Sequence, residues 1–263
     1  MLDGESRDRV GSVNDILIAT PTYNEAGNIA ALLRQLAALG LAADYLVVDD
    51  GSTDGTPDIV LRLAAEIPQL KLMQRGSKQG VGSAHIDALK YAKSNGYRKL
   101  VTLDADFSHQ PTDVPRLLAA SSDFQVVLGT RFSDPRSLEE WSPLRKAITH
   151  FGHFLTRVLL HIPYDASGGL RVYDLRAISM SLIQSIRGTD YEFFFESITL
   201  FDMAGLRIGE VPIKLPARAY GHSKMRVGHA VKGLQRLIVL ASNLSLARKR
   251  ARAAMQTETV QND

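Results

Sequence analysis

The sequence predicts an α/β fold, a mostly parallel central sheet with helices on both faces. Three observations predict it. Short β-branched runs alternate with longer helical patterns as far as about residue 130, the order expected of a sheet wound with crossover helices. Three of the runs end in polar segments, "TPTYNE", "DDGSTDG" and "DADFSH", and ligands of open α/β sheets bind outside the carboxyl ends of strands. The chain has 263 residues, 45% hydrophobic and 22% charged, an ordinary globular composition able to bury a sizeable core.

Taken in order, "DILIAT" is the first strand, followed by a helix over 28–39; "YLVVDD" is the second, followed by a helix over 57–66. "LKLMQ" and a helix over 83–93 come next, then "KLVTLDAD" and a helix over 112–120, then "FQVVLGT". From residue 143 the character changes, because "PLRKAITHFGHFLTRVLLHI" reads as one amphipathic helix over 143–162. At 100° per residue Leu144, Ala147, Ile148, Phe151, Phe154, Leu155, Val158, Leu159 and Ile162 share one face, and Arg145, Lys146, His150, His153, Arg157 and His161 the other. Two readings stand side by side: the apolar stripe packs on the core, or the helix lies in the plane of a membrane with its cations at headgroup level. No acid lies beside His150 and His153, so they are not read as a metal pair.

The domain plan is a flexible N-terminus over 1–13, one catalytic domain over 14–246 and a basic, then polar, tail over 247–263. That tail opens on "ARKRAR", which is either a solvated helix end or a patch drawn to anionic lipid. The net charge of +3 is too small to announce a nucleic-acid binder. No stretch of about 18 apolar residues occurs and the start lacks a secretory signal, so the chain is expected in the cytoplasm. Zero cysteines exclude thiolate catalysis and cysteine-ligated zinc. P-loop, dinucleotide-fingerprint, nucleophile-elbow and H-E-x-x-H motifs are absent, with "GVGSAH" at 80–85 only a partial match to the second.

What remains is a set of carboxylates at strand ends: Glu25, Asp49, Asp50, Asp104 and Asp106. Such groups accept hydrogen bonds from ribose hydroxyls or base amino groups, and they hold a divalent ion against phosphates. Magnesium or manganese suits all-oxygen ligands and keeps waters and substrate phosphates in its shell.

Six segments, "TPTYNEAGN" (20–28), "VVDDGSTDGT" (47–56), "LDADFSHQP" (103–111), "GTRF" (129–132), "GEVPI" (209–213) and "RAYGHSK" (218–224), stand in the order seen in family 2 glycosyltransferases. The chain resembles in particular the polyprenyl-phosphate (dolichol-phosphate) mannose synthases, over about residues 14–232. The resemblance implies a GT-A-like nucleotide-diphospho-sugar transferase fold and an inverting, Mg²⁺- or Mn²⁺-dependent transfer of a sugar, mannose from GDP-mannose, to a polyprenyl phosphate at the cytoplasmic membrane face. It implies that Pro21, Tyr23, Glu25, Val48 and Asp50 cup the nucleoside. Asp104, Ala105 and Asp106 would meet ribose, diphosphate and metal, with Asp106 the foremost ligand. Arg131, Arg218 and Lys224 would contact phosphates, and Arg145 and Thr149, one turn apart, would grip the acceptor phosphate with Arg131. Without a membrane-spanning segment the chain would dock peripherally or through a membrane-anchoring partner. His109 reads as a loop residue, and Ser108 stands where relatives can carry glutamine. Gly168, Leu170 and Phe194 depart from the usual pattern, whereas Asp165, Arg171 and Glu196 follow it. The rival readings are a soluble family member with another donor, such as UDP-glucose, or a non-lipid acceptor, and a non-catalytic sugar-nucleotide-binding subunit.

Overall fold

The structure, a computed structural model, describes residues 14–215 and 227–244. Arg218, Lys224 and the basic tail, on which three of the expectations rest, lie outside them. Seven strands, β1 (Ile16–Thr22), β2 (Ala43–Asp49), β3 (Leu70–Gln74), β4 (Lys99–Thr102), β5 (Val126–Thr130), β6 (Arg171–Asp174) and β7 (Ile208–Pro212), form one sheet in the order β3-β2-β1-β4-β6-β5-β7. Only β6 runs against its neighbours β4 and β5; every other pairing is parallel.

Helices cover both faces because successive strand residues point to opposite sides. Leu17, Ala19, Leu46 and Val48 join one core with α3 (Val81–Ser94), α6 (Met180–Ser185) and α7 (Glu192–Met203). Ile18, Tyr45 and Val47 join the other with α1 (Ile29–Ala38), α2 (Thr56–Leu63) and α4 (Val114–Ala120). In α1 the buried residues are Ile29, Leu32, Leu33 and Leu36, the i, i+3, i+4, i+7 stripe of a helix lying on a sheet. Two remaining helices, α5 (Pro143–Leu160) and α8 (Val227–Ser242), pack on each other at the edge of the molecule.

The expected elements are present with shifted ends. The fourth strand stops at Thr102, so both acids of "DADFSH" lie in the loop beyond it. The helix over 112–120 begins as a 3-10 turn at Pro111–Asp113, where prolines at 111 and 115 withhold amide donors.

The stripe of α5 corrects the core reading. Ser142 caps the helix by accepting the Arg145 N–H, and Pro143 opens its first turn. Thr156 and Leu160 are its buried residues, and Thr149 and His153, on the same side, are half-buried. Leu144, Ile148, Phe151, Phe154 and Val158 instead face outward, 51–72% exposed. Leu155 and Leu159 pack partly on the core, and Ile162, of the expected stripe but just past the end of the helix, is buried in it.

Candidate active site

Three loops at the carboxyl ends of β1, β2 and β4 meet over one cleft of about 200 Å³. The first two loops are locked together. Asn24, in the left-handed region at φ 54°, accepts the Thr53 N–H through its side chain while its own N–H donates to Ser52 Oγ. The N–H groups of Glu25 and Ala26 donate to Thr56 Oγ1 and Asp54. Beneath them Asp49 accepts from Thr22 Oγ1 at 3.0 Å and from the Ser52 N–H at 2.9 Å, so it is a structural carboxylate.

Of the residues expected to bind donor, Pro21, Tyr23, Glu25, Asp50, Asp104, Ala105 and Asp106 line the cleft. Val48 does not: it is fully buried, with Pro21 of β1 and Met73 of β3 beside it in register. A central strand leaves that side chain no path to the cleft. Asp50 is nearly buried and accepts the N–H groups of Gln79 at 2.8 Å and Gly80 at 2.9 Å, with the Arg75 guanidinium 3.1 Å away. Arg75 is itself buried and donates to the Gly80 carbonyl and Gln79. The carboxylate is therefore fixed in place before any ligand arrives.

The β4 loop is turned sharply. Phe107 takes a left-handed φ of 59°, a conformation that costs a bulky residue energy and that clusters at functional sites. Asp106 accepts the Ser108 N–H at 3.0 Å. His109 is buried, and its Nδ1 accepts the Asp104 N–H at 3.3 Å, so it buttresses the loop as a loop residue. Burial holds its pKa below the usual histidine value despite nearby Asp104. A neutral ring leaves the negative charge of the two acids facing the cleft. The backbone of Gly169 closes on Asp104 so tightly that a Cβ there would lie 2.8 Å from Asp104 Oδ1.

These donors fit a divalent ion. They are hard oxygens, and among the described residues no group of three or more acidic, histidine or cysteine side chains is arranged to hold a metal by itself. Asp104 and Asp106 would thus supply two ligands and leave the rest of a Mg²⁺ or Mn²⁺ shell to diphosphate and water.

Arg131, in the loop after β5, lies beside the same glycine pair: a Cβ on Gly168 would sit 3.4 Å from its Nη2. Its Nε donates to Asp165 at 2.9 Å and its backbone N–H to the same oxygen at 3.2 Å. Burial raises the Asp165 carboxyl, but Arg131 and the Ser167 N–H outweigh that and hold it below the carboxylate range. The Asp165 N–H in turn donates to Glu210 of β7, whose carboxyl burial pushes up. Arg171 is wholly buried and staples this loop to α7 by donating to the carbonyls of Gly168 and Phe194 and to Ser197 Oγ. Arg145 is exposed, with its guanidinium 3.5 Å over the Trp141 ring, and Thr149 sits half-buried one turn on.

Sequence reasoning missed several cleft residues: Lys78, Val81, Ala84, Ser167, Asp190 and Tyr191. Lys78 Nζ stands 3.8 Å over the Tyr23 ring. The signal for it was the glycine-rich "RGSKQGVG" after β3. Gly82 within it has a backbone reason, since a Cβ would meet the Asp190 carbonyl at 2.4 Å. Phe194 forms part of the cleft wall and covers His85, a buried imidazole with no hydrogen-bond partner on either nitrogen, its pKa driven down to about 3 by burial and Arg171. A wider groove of about 760 Å³ opens near the opposite ends of β1 and β4. Its arginines 98 and 176 are already paired with Asp15 and Asp174, and it holds none of the six segments.

Residues 17–180 match the glycosyl transferase family 2 profile. The chain is 37% identical over 228 residues to the undecaprenyl-phosphate mannosyltransferase of Micrococcus luteus, covering 84% of this chain and 93% of that protein. It is 30% identical over 225 residues to the polyprenol monophosphomannose synthase of Mycolicibacterium smegmatis, covering 84% and 85%. Among solved structures it resembles a mannosyltransferase from Pyrobaculum calidifontis in complex with GDP-Man and Mn²⁺, with a TM-score of 0.57, 20% identity and 95% and 75% coverage. It also resembles glucosyl-3-phosphoglycerate synthase from Mycobacterium tuberculosis with Mn²⁺, UDP and glucosyl-3-phosphoglycerate, with a TM-score of 0.58, 18% identity and 90% and 80% coverage. The fold is the GT-A-like fold of nucleotide-diphospho-sugar transferases.

Proposed function

This chain belongs to glycosyl transferase family 2 and is a glycosyltransferase, and from that premise we propose that it moves mannose from GDP-mannose onto a polyprenyl phosphate at a membrane surface, inverting the anomeric carbon. The acceptor follows the names of the two relatives that match most of the chain. The observation that carries the reading is the meeting of Tyr23, Asp50, Asp104 and Asp106, from three strand ends, on one cleft, with Arg131 just beyond the Gly168–Gly169 turn.

The residues divide the work. Tyr23, Glu25 and Asp50 hold the nucleoside, and the rigidity of Asp50 makes that grip specific. Asp104 and Asp106 hold a divalent ion, which when bound neutralises the donor diphosphate and the charge that builds on the leaving nucleotide. The acceptor phosphate is ionised near neutral pH, its second pKa being about 6, so attack on the sugar carbon needs no general base. The task left is to bring one anion against another. Arg131, with Arg218 and Lys224 from the segment outside the described residues, supplies the compensating charge, and Arg145 and Thr149 guide the acceptor toward it.

The outward stripe of α5 supports the membrane half of the proposal. Leu234, Ile238 and Val239 of α8 are also exposed, beside it, and a soluble surface rarely gathers so many large apolar side chains. Arg145 and Arg157 flank the stripe, the arrangement of a helix lying at headgroup level. Among the described residues no helix is long and apolar enough to cross a membrane.

The test is transfer by the purified chain from GDP-mannose to polyprenyl phosphate in vesicles, with Mg²⁺ or Mn²⁺. Lipid-extractable product is expected. Turnover with UDP-glucose, or with a free alcohol and no response to lipid phosphate, would replace this reading with the soluble rival.

A further inference from the structure

Arg131 is held from two sides. Asp165 takes its Nε and its backbone N–H, and the next N–H, that of Phe132, donates to Thr130 Oγ1, although neither Arg131 nor Phe132 belongs to a strand or helix. The other restraint comes from α5. The imidazole of His153 stacks on Phe132 with ring centroids 3.9 Å apart and planes within 11°, and His150, one turn earlier, tilts against the same ring at 5.4 Å. The Arg131 guanidinium carbon stands 5.8 Å from the centre of that ring. The helix with the outward apolar stripe therefore touches, through its inward side, the residue next to the candidate acceptor arginine.

A packing contact alone does not call for histidine. Nδ1 of His153 is buried with no hydrogen-bond partner, and an unsatisfied buried polar atom is destabilising. Phenylalanine would stack as well without that cost. Such an atom in a folded protein calls for an explanation.

We propose that His153 is a positioning residue for transfer: its stack on Phe132 holds Arg131 in place for the acceptor phosphate and so links the seating of α5 on a membrane to the transfer step. The proposal rests on the reading of Arg131 as an acceptor-phosphate residue. It also gives the stack a pH response. Burial lowers the His153 pKa, with Asp165 opposing, so at neutral pH the ring is uncharged. A proton on it would meet first the penalty of burial and then Arg157 and His150 from α5 and Arg131 from the β5 loop, opposed among the described residues by Asp165, whose N–H is held by Glu210. Acid is therefore expected to push the ring off Phe132.

The experiment compares wild type, His153→Ala and His153→Phe with GDP-mannose and polyprenyl phosphate in vesicles, across pH 5–8, alongside donor affinity by calorimetry. His153→Ala is expected to lose about tenfold in kcat/KM for the acceptor while donor affinity moves less than about twofold, the pattern of a lost positioning contact. His153→Phe should recover most of that loss at pH 7.5. The acceptor's own protonation near pH 6 gives every enzyme an acid limb, and the wild type should fall more steeply than His153→Phe. Wild-type acceptor kinetics in a folded His153→Ala overturn the proposal. If the alanine variant does not fold, the phenylalanine variant decides: an acid limb identical to that of the wild type overturns it as well. No transfer to polyprenyl phosphate by the wild type would instead sink the acceptor reading, and this proposal with it.

Discussion

The cleft that the proposed function gives to the donor and the helix that it gives to the acceptor are built on opposite rules; they are called the donor half and the acceptor half below. Around the cleft, apolar side chains point into the sheet's two cores and polar groups are pinned by short hydrogen bonds before a ligand binds: Asp49 by Thr22 and Ser52, Asp50 by the Gln79 and Gly80 amides and Arg75. Around α5 the order is reversed, with Thr149, His153 and Thr156 toward the protein and Leu144, Ile148, Phe151, Phe154 and Val158 away from it. On the proposed function, a cleft that meets a water-soluble nucleotide gains from preorganised polar groups, and a helix that meets lipid need not hide its apolar face.

The largest effect that tests this contrast is on the donor side. Asp106→Asn removes a charge from the Asp104–Asp106 pair while keeping the side chain's shape, and the Ser108 N–H can still donate to the amide oxygen. Fold and melting temperature should barely change. Turnover should fall by about a hundredfold or more, because diphosphate charge is left uncompensated where it grows most. Excess EDTA should reproduce the loss in wild type. Full turnover in EDTA would remove the metal from the mechanism and leave the two acids as nucleoside ligands.

The second test breaks the acceptor half. The variant Phe151→Asp, Phe154→Asp places two charges on the outward stripe, where both rings are about 60% exposed (61% and 58%). Fully burying such a ring is worth about 1.5–3 kcal/mol, so two rings with about 60% of their surface open to lipid contribute about 2–4 kcal/mol together, and affinity for anionic vesicles should drop by about a hundredfold. Nothing in the core is touched, and circular dichroism should be unchanged. Wild-type binding should also weaken with salt, each cation at the surface contributing about 1 kcal/mol. A wild type that stays in the supernatant with anionic vesicles at low salt would leave the stripe without a lipid role.

The two halves also differed in how far the sequence disclosed them. Strands β1 to β5 and the acid-bearing loops were legible because apolar periodicity and the polar runs that interrupt it are local signals. Strand β6 was not: "RVYD" is four residues long, buried on both faces, and begins with an arginine whose charge is satisfied only by carbonyls and a hydroxyl brought from α7 and the preceding loop. Amphipathicity marked the stripe on α5, but periodicity carries no sign and cannot say whether a stripe faces a core or a membrane. Val48 shows a related limit, since a motif names a position and not a side-chain direction, and the strand turns this side chain into the core. His153 was seen as a member of a polar face and, with His150, as a metal pair set aside; its stack was not seen, because Phe132 is 21 residues away in sequence and comes near only in the fold.

The smallest predicted effect returns to the cleft and concerns the one lysine among its described lining residues. Lys78 sits over the Tyr23 ring at 3.8 Å, a cation–π contact worth about 0.5–1 kcal/mol at an accessible site. A nucleobase that stacks on that face of Tyr23 must displace the ammonium, which then stands free to meet the anionic donor. Lys78→Ala should therefore raise the donor KM about fivefold with little change in kcat, the mark of uniform binding lost rather than transition-state stabilisation. Lys78→Arg should keep most of the affinity, since it preserves the charge. Acceptor KM should be indifferent to both, which separates this lysine from Arg131. Were Lys78→Ala to raise the acceptor KM instead, the division of the molecule into a donor half and an acceptor half would be drawn in the wrong place.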